Sequence, residues 1–342
     1  MTSPRPSAWR TWARRSARTG VAFVELLCIG WCALALRIDA SVSIGLVIAF
    51  VVGALGLAFF LRPRWLGHAL FLVLFAALVV WWLRIEPRND RNWLADVART
   101  PRMEVEGDQL TVHDLRNFDY RSDEDFTPRW EERRYDLSRL IGVDLLLSDW
   151  GAPGIVHTMV SWEFDGAPPL AISIETRKEV GESYSALRGF FRQFELYYVV
   201  GDERDLIRVR TNCRDERVRL YRLNVPVSVA RALLLGYAAR VNHLAEEPAW
   251  YNALTANCTT TIRLHASELG LAQRLNWRLY ANKYSDELLY RRGALDTALS
   301  FEELRRRSDI TDAARAAGND PEFSKSIRLG LPARAQANPA PH

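Results

Sequence analysis

The sequence predicts an α+β protein in which three N-terminal transmembrane helices precede a domain with an antiparallel sheet and helices. Residues 1–20 hold five arginines and no acidic residue, whereas residues 20–83 are almost uncharged. Beyond residue 103, runs of alternating apolar and polar residues indicate strands, and amphipathic stretches indicate helices. The 342 residues suffice for such a domain. A net charge of +4 does not indicate a nucleic-acid binder.

Three apolar stretches are predicted to cross a membrane. Residues 42–61 are twenty uncharged residues, enough to span about 30 Å of hydrocarbon. Residues 66–83 form a second span that closes on a tryptophan pair, which is typical of a membrane interface. Residues 21–36 are shorter and contain Glu25, and they are predicted to form the first span.

Charge predicts the orientation of these spans. The arginines hold residues 1–19 in the cytoplasm as a basic tail, and three spans at 20–84 return Arg62 and Arg64 to that side. The sequence therefore predicts a multi-pass membrane protein whose C-terminal part is exported; in a bacterium, the membrane is the inner membrane and the compartment is the periplasm. Its exported part comprises a linker at 85–102, a periplasmic domain at 103–310 and a C-terminal extension at 311–342 with a disordered tail.

A β-hairpin is the clearest element of the exported domain. Residues 154–164 alternate between an apolar face and a face with His157, a "DGAPP" turn follows, and residues 170–178 alternate again. The other predicted elements are a strand at 108–115, a surface loop leading into a short helix at 123–140, a helix running into a strand at 184–200, strands at 206–210 and 217–223, and a helix at 226–244 with Ser228 as its N-cap.

The stretch "WYNALTANCTTTIRLHASELG" at 250–270 raises the question of what Cys258 does. Its apolar stripe and Gly270 predict a helix that begins near Cys258, with Thr255 or Asn257 near the cap. Unpaired N–H groups in the first turn of a helix favour a thiolate and can hold an oxyanion. Two other interpretations remain open, a buried cysteine at a helix start and a disulfide with Cys213. Cys28 and Cys32 are predicted to pack in the first span.

A nucleophilic thiol needs a base, and His157 is the best-placed histidine. His265 lies two helical turns from Cys258, about 10 Å along the axis, which is beyond hydrogen-bond reach. His157 lies on the mixed face of its strand, and across the turn Glu175 or Ser173 points to the same face and could orient the imidazole. The residues alone equally allow a half-buried structural histidine.

Several long motifs carry a family resemblance. "NFDYRSDEDFTPRWEERRYDLSRLIGVDLLLSDWG", "HTMVSWEF", "ISIETRKEVGESYSALRGFFRQFELYYVVGDERDLIRVRT" and "WYNALTANCTT" closely resemble the Lnb N-terminal periplasmic domain family, over roughly residues 103–290. The resemblance implies a circularly permuted papain-like fold of the NlpC type, in which the histidine strand precedes the cysteine helix. His157 does precede Cys258 in this chain.

The resemblance also implies a cysteine acyltransferase that acylates lipoproteins through a thioester. Cys258 would be the nucleophile, His157 the base and Glu175 the orienting residue. Membrane lipid and lipoprotein would be the partners, and no cofactor or metal is expected. The sequence further suggests orienting or oxyanion roles for Ser173, Asn257 and Thr259, and lipid-phosphate contacts for Arg177 and Arg188. The alternatives are a thiol hydrolase of cell-wall or peptide substrates and a non-catalytic membrane-anchored binding module.

Overall fold

The computed structural model describes residues 8–268 and 282–334. The chain divides into two compact units, one formed by Met1–Pro87 with Ser185–Gln193 and the other by Arg88–Tyr184 with Phe194–His342. Gly270, the predicted end of the cysteine helix, lies outside the described residues, as does most of the predicted disordered tail.

The first unit contains the apolar N-terminal helices. They are α1 (Ala8–Ile38), α2 (Ile44–Leu55) with a π-helical turn (Gly56–Phe60), and α3 (Arg64–Leu83). Among the described residues, two helices are long and apolar enough to cross a membrane, Ser16–Ile38 and Arg64–Leu83. The prediction of three full-length spans is therefore wrong. The middle helix begins at Ile44 and ends at Phe60, because the chain becomes extended at Leu61 ahead of Pro63.

Two polar contacts show that α1 and α3 run parallel. Glu25 Oε1 lies 2.6 Å from His68 Nδ1, and the indole of Trp82 donates to Asp39 at 2.7 Å. Both pairs are separated by 43 residues, so the two helices advance together in the same direction. Residues 44–60 therefore return the chain from the end of α1 to the start of α3.

The second unit is built on a mixed eight-stranded sheet. Its path follows the order β1-β2-β9-β8-β7-β6-β10, and β5 also pairs with β2. All neighbours are antiparallel except β2 and β9. The strands are β1 (Arg102–Glu106), β2 (Gln109–Arg116), β3 (Asp119–Tyr120), β4 (Phe126–Thr127), β5 (Trp130–Asp136), β6 (Leu140–Asp149), β7 (His157–Phe164), β8 (Ala167–Arg177), β9 (Glu195–Asp202) and β10 (Arg217–Arg222), of which β3 and β4 form a separate pair.

Helices cover both faces of this sheet. Within the described residues, the other α-helices are α4 (Glu203–Arg208), α5 (Val227–Glu246), α6 (Cys258–Glu268), α7 (Ser285–Arg291), α8 (Phe301–Arg307), α9 (Thr311–Ala317) and α10 (Phe323–Ser326). Residues of α5 and α6 pack on one face around Trp162 and Tyr237, and residues of α4, α9 and α10 pack on the other around Met159. Because both faces are covered, the central strands are buried on both sides.

The predicted hairpin is confirmed, and several other predicted elements are not. β7 and β8 pair antiparallel around a turn at Gly166, whose φ of 74° suits glycine. The mixed face of the hairpin proves to be largely buried, because helices cover it. The structure replaces the predicted strand at 206–210 by α4 and a π-helical turn (Val209–Cys213), and the loop at 123–140 largely by β4 and β5. In the segment at 184–200, β9 confirms the predicted strand, but a 3₁₀ turn (Arg188–Phe190) replaces the predicted helix. The helix α5 begins at Val227, so Ser228 is not its N-cap.

Candidate active site

Cys258 is the first residue of α6, as the sequence predicts. The side-chain oxygen of Asn257 accepts hydrogen bonds from the backbone N–H groups of Thr259 and Thr260, both at 3.0 Å, so Asn257 caps the helix. The thiol is partly buried and packs against the core beneath α5. Asn257 thus occupies two of the N–H groups predicted to hold an oxyanion, and the amide of Cys258 itself is the remaining candidate.

His157, Ser173 and Glu175 meet on neighbouring strands. His157 Nε2 lies 2.7 Å from Ser173 Oγ and 3.1 Å from Glu175 Oε1. The Ser173 hydroxyl donates to Glu175 at 2.6 Å, so it accepts from the imidazole. Both predicted orienting residues therefore contact the same nitrogen, which carries a proton. The imidazole of His157 also hydrogen-bonds the thiol of Cys258.

Electrostatics favour a thiolate–imidazolium pair. Burial by itself would lower the pKa of His157, but the Glu175 carboxylate outweighs it and raises that pKa to about 9. Burial by itself would raise the pKa of Cys258, but the hydrogen bond and charge of His157, with the backbone N–H of Thr158, lower it. At neutral pH the site therefore holds a charged imidazole beside a thiol whose deprotonation it favours.

Arg210 completes the cluster, and the sequence analysis missed it. Its guanidinium is 4% exposed, and it donates to Glu175 Oε1 at 2.6 Å and to the carbonyl of Leu206 at 2.7 Å. Burial raises the pKa of Glu175, but His157 and Arg210 hold it well below its usual range. Arg210 lies on the π-helical turn after α4, a stretch with the alternation of a strand, so no local signal marked it.

Asn282 holds the histidine strand and the cysteine helix together. Its side chain accepts from the Val156 N–H at 2.8 Å and donates to the Val156 carbonyl at 2.6 Å. It also donates to Thr259 Oγ1 at 2.6 Å, and that oxygen lies 3.9 Å from Cys258 Sγ. Thr259, predicted to support the oxyanion, thus links the start of α6 to the residue before His157. No sequence motif singled out Asn282.

Two of the predicted site residues lie apart from this cluster. The predicted lipid contact of Arg177 is wrong, because its guanidinium is buried, donates to the carbonyls of Val97 and Ala98, and lies 4.4 Å from the ring centroid of Trp93. This apolar and carbonyl surrounding holds Arg177 inside the domain. Arg188 is exposed, on the 3₁₀ turn of the first unit.

His265 is a core residue. It is 3% exposed, its Nε2 lies 3.0 Å from the Tyr198 hydroxyl, and its ring stacks on Tyr237 at 4.1 Å between centroids. Burial, reinforced by the charge of Arg240, lowers the pKa of His265 to about 4, so the ring is neutral. These contacts agree with the expectation that His265 does not serve the thiol.

Glu175→Gln is expected to move the alkylation profile of Cys258 to higher pH. The carboxylate charge raises the pKa of His157, and the resulting imidazolium lowers the pKa of the thiol. Removing that charge lowers the pKa of His157, so the imidazolium is less populated and the thiolate forms only at higher pH. The measurement is the rate of iodoacetamide reaction at Cys258 against pH. Glu132→Gln is the control, because Glu132 contacts His113 and not His157, and it should leave the pH profile unchanged. An unshifted Glu175→Gln profile would contradict the electrostatic account.

Arg210→Met is expected to slow alkylation of Cys258 several-fold at neutral pH. Without the guanidinium, the pKa of Glu175 rises and the carboxylate loses the cation that holds it against His157. Arg210→Lys retains a positive charge and should restore part of the rate. A purely structural role would predict equal loss in both variants together with a matching fall in melting temperature. That outcome would refute a positioning role for Arg210.

The fold and the site together define a class of protein. It is an α+β domain, joined to apolar N-terminal helices, whose sheet and one helix bring a thiol, an imidazole and a carboxylate together. The family model of the Lnb N-terminal periplasmic domain matches residues 126–285, which include all three groups. The match confirms the predicted resemblance to this family over residues 126–285. No curated protein and no solved structure matches the chain.

Proposed function

We propose that the protein is a membrane-anchored periplasmic cysteine acyltransferase that N-acylates lipoproteins through a thioester. The observation that carries the proposal is the hydrogen-bonded His157–Ser173–Glu175 cluster beside the thiol of Cys258. A permuted papain-like arrangement is part of the proposal. It is supported by the chain order, since β7 with His157 precedes α6 with Cys258.

The first half of the reaction forms the thioester. The Cys258 thiolate attacks the carbonyl carbon of an ester-linked acyl chain, so a C–S bond forms and the ester C–O bond breaks. The His157 imidazolium gives its proton to the departing alkoxide oxygen. Ser173 and Glu175 keep the imidazole oriented toward the thiol throughout this step.

The second half transfers the acyl chain to an amine. The α-amine of the lipoprotein attacks the thioester carbonyl, and neutral His157 accepts the proton that the amine loses. An amide C–N bond forms, the C–S bond breaks, and the thiolate–imidazolium pair returns. Water as the attacking group would release a free fatty acid instead, which is the reaction of the hydrolase alternative.

Exposed apolar residues near the site in the chain support an acyl substrate. Leu254, four residues before Cys258, is 53% exposed, and Ile155, two residues before His157, is 49% exposed. Burying such side chains against an acyl chain is favourable by about 25 cal/mol per Å² of apolar surface. A hydrolase of polar cell-wall or peptide substrates would instead be expected to present polar side chains there.

Mass spectrometry of a lipoprotein N-terminus tests the proposal. Purified protein in vesicles, given a lipoprotein with a free α-amine, should add one acyl mass to that amine. The acyl chain should pass through a hydroxylamine-sensitive adduct on the enzyme. Free fatty acid without amine acylation would favour the hydrolase, and neither product would favour the binding module.

A reporter fusion tests the proposed multi-pass topology in the inner membrane. Because α1 and α3 run parallel, residues 44–60 must return across the membrane if both helices span it, which puts Arg62 and Arg64 on the cytoplasmic side. Alkaline phosphatase fused after Asn92 is expected to be active, whereas a fusion after Arg62 is expected to be inactive. Activity in the reverse order would show that the second unit lies in the cytoplasm.

A further inference from the structure

Residues 185–193 leave the sheet-containing unit and pack with the apolar helices. The Phe191 ring stacks on Trp31 of α1, with centroids 6.5 Å apart. The Arg192 guanidinium lies 4.5 Å from the Trp82 ring of α3, and its backbone N–H donates to Asp39 at 3.0 Å. This segment is therefore anchored by stacking, cation–π and hydrogen-bond contacts rather than merely lying beside the helices.

Those anchoring contacts lie at the ends of the two candidate spans. Asp39 directly follows α1, and Arg192 also donates to the carbonyl of Leu83, the last residue of α3, at 3.1 Å. If these helices cross a bilayer, their ends lie at its polar interface, where tryptophan is favoured. Residues 185–193 are thereby held at the depth of the lipid headgroups.

Two large apolar side chains of this segment are exposed. Leu187 is 52% exposed and Phe190 is 48% exposed. Leu187 directly precedes the 3₁₀ turn (Arg188–Phe190) and Phe190 is its last residue, and residues three apart in such a turn lie on the same side. Arg188, exposed between them, carries a charge that suits a lipid phosphate.

We propose that Leu187 and Phe190 insert into the outer surface of the lipid leaflet in which α1 and α3 end, with Arg188 at the phosphates. The occupant of this surface is lipid because the contacts of the segment place it where the spans end. The proposal rests on α1 and α3 crossing a membrane and not on acyl transfer. In the chain, the segment connects β8, which carries Glu175, to β9, so the lipid surface becomes a further attachment of the chain to the membrane besides the apolar N-terminal helices.

Site-specific photocrosslinking of the full-length protein in native membranes tests the proposal. The photoreactive residue p-benzoylphenylalanine replaces Phe190 in one variant and Leu187 in another, and membrane phospholipid carries a radiolabel. Both variants are expected to form labelled lipid adducts on irradiation. Leu72, an exposed residue within α3, is the positive position, and Val105, an exposed residue of β1, is the negative one.

The outcomes separate the possibilities. Adducts at Leu72, Phe190 and Leu187 but not at Val105 support the proposal. Adducts at Leu72 alone overturn it, because the helices would then span the membrane while the segment stays in water. A crosslink from Phe190 to another protein also overturns it and assigns the surface to a protein partner. The absence of lipid adducts at Leu72 overturns it as well, because the spans on which it rests would not exist.

Discussion

Cys258→Ser is expected to abolish the hydroxylamine-sensitive acyl adduct and to lower acyl transfer by roughly 10³-fold or more. The surroundings of residue 258 lower the pKa of a thiol, but a hydroxyl starts from a much higher pKa and stays protonated. Serine also keeps the helix start intact, because Asn257 and not Cys258 caps α6. The measurement is labelled acyl chain on the purified protein, together with amine acylation of a lipoprotein.

Cys213→Ser is the matched control for this loss. Cys213 is also a free, partly buried thiol, and it packs against the cluster of Phe118 and Tyr120 rather than beside Cys258. Burial raises the pKa of Cys213, so it should react slowly and its variant should retain activity. If Cys258→Ser retained full acyl-transfer activity, the thioester mechanism would be refuted. Equal loss in both cysteine variants would point to a disulfide or to a folding defect instead.

His157→Ala is expected to cause the second largest loss. Without the imidazolium, the pKa of Cys258 rises, because burial then acts on the thiol without its compensating partner. The leaving alkoxide also loses its proton donor, so the departure of the alkoxide slows as well as the attack of the thiol. A combined loss of about 10³-fold or more is expected, as when a member of a catalytic triad is removed. Single-turnover formation of the acyl adduct measures it.

The pH dependence of the residual rate tests the assignment. Activity of the wild-type protein should fall as pH rises past about 9, where His157 loses the proton that the leaving group needs. In His157→Ala this alkaline fall should disappear. His113→Ala is the control, since His113 lies between Glu104 and Glu132 on β2 and should be dispensable. An unchanged alkaline fall in His157→Ala would mean that another group supplies the proton.

Local hydropathy predicted two of the N-terminal helices correctly and the length of the middle one incorrectly. The apolar stretches at 21–36 and 66–83 predict helices that the structure confirms, because helical burial in lipid depends mainly on local hydropathy. The span predicted at 42–61 proves to be the shorter helix Ile44–Phe60. Its length depends on a π-helical turn and a bend before Pro63, and hydropathy does not report either feature.

In the sheet-containing unit, the local alternation of residues likewise predicted one element correctly and another incorrectly. The alternation of residues 154–178 predicted the β7–β8 hairpin, because the side-chain period of a strand is set locally. The alternation at 206–210 predicted a strand that is helical in the structure. There, Leu206 and Ile207 are buried against one face of the sheet, and the Asp202 side chain caps the helix, so packing overrides the local pattern.

The sequence by itself determined which groups could do chemistry in this protein. A cysteine after a capping Asn at a helix start, and a histidine with Ser173 and Glu175 at matching positions of a hairpin, are local features of pattern and spacing. The tertiary structure brought Cys258 and His157, a hundred residues apart in the chain, into contact. It also brought in Arg210 and Asn282, whose roles come from buried charge and hydrogen bonds between distant segments. Such contacts form only when the chain packs, so no local pattern records them.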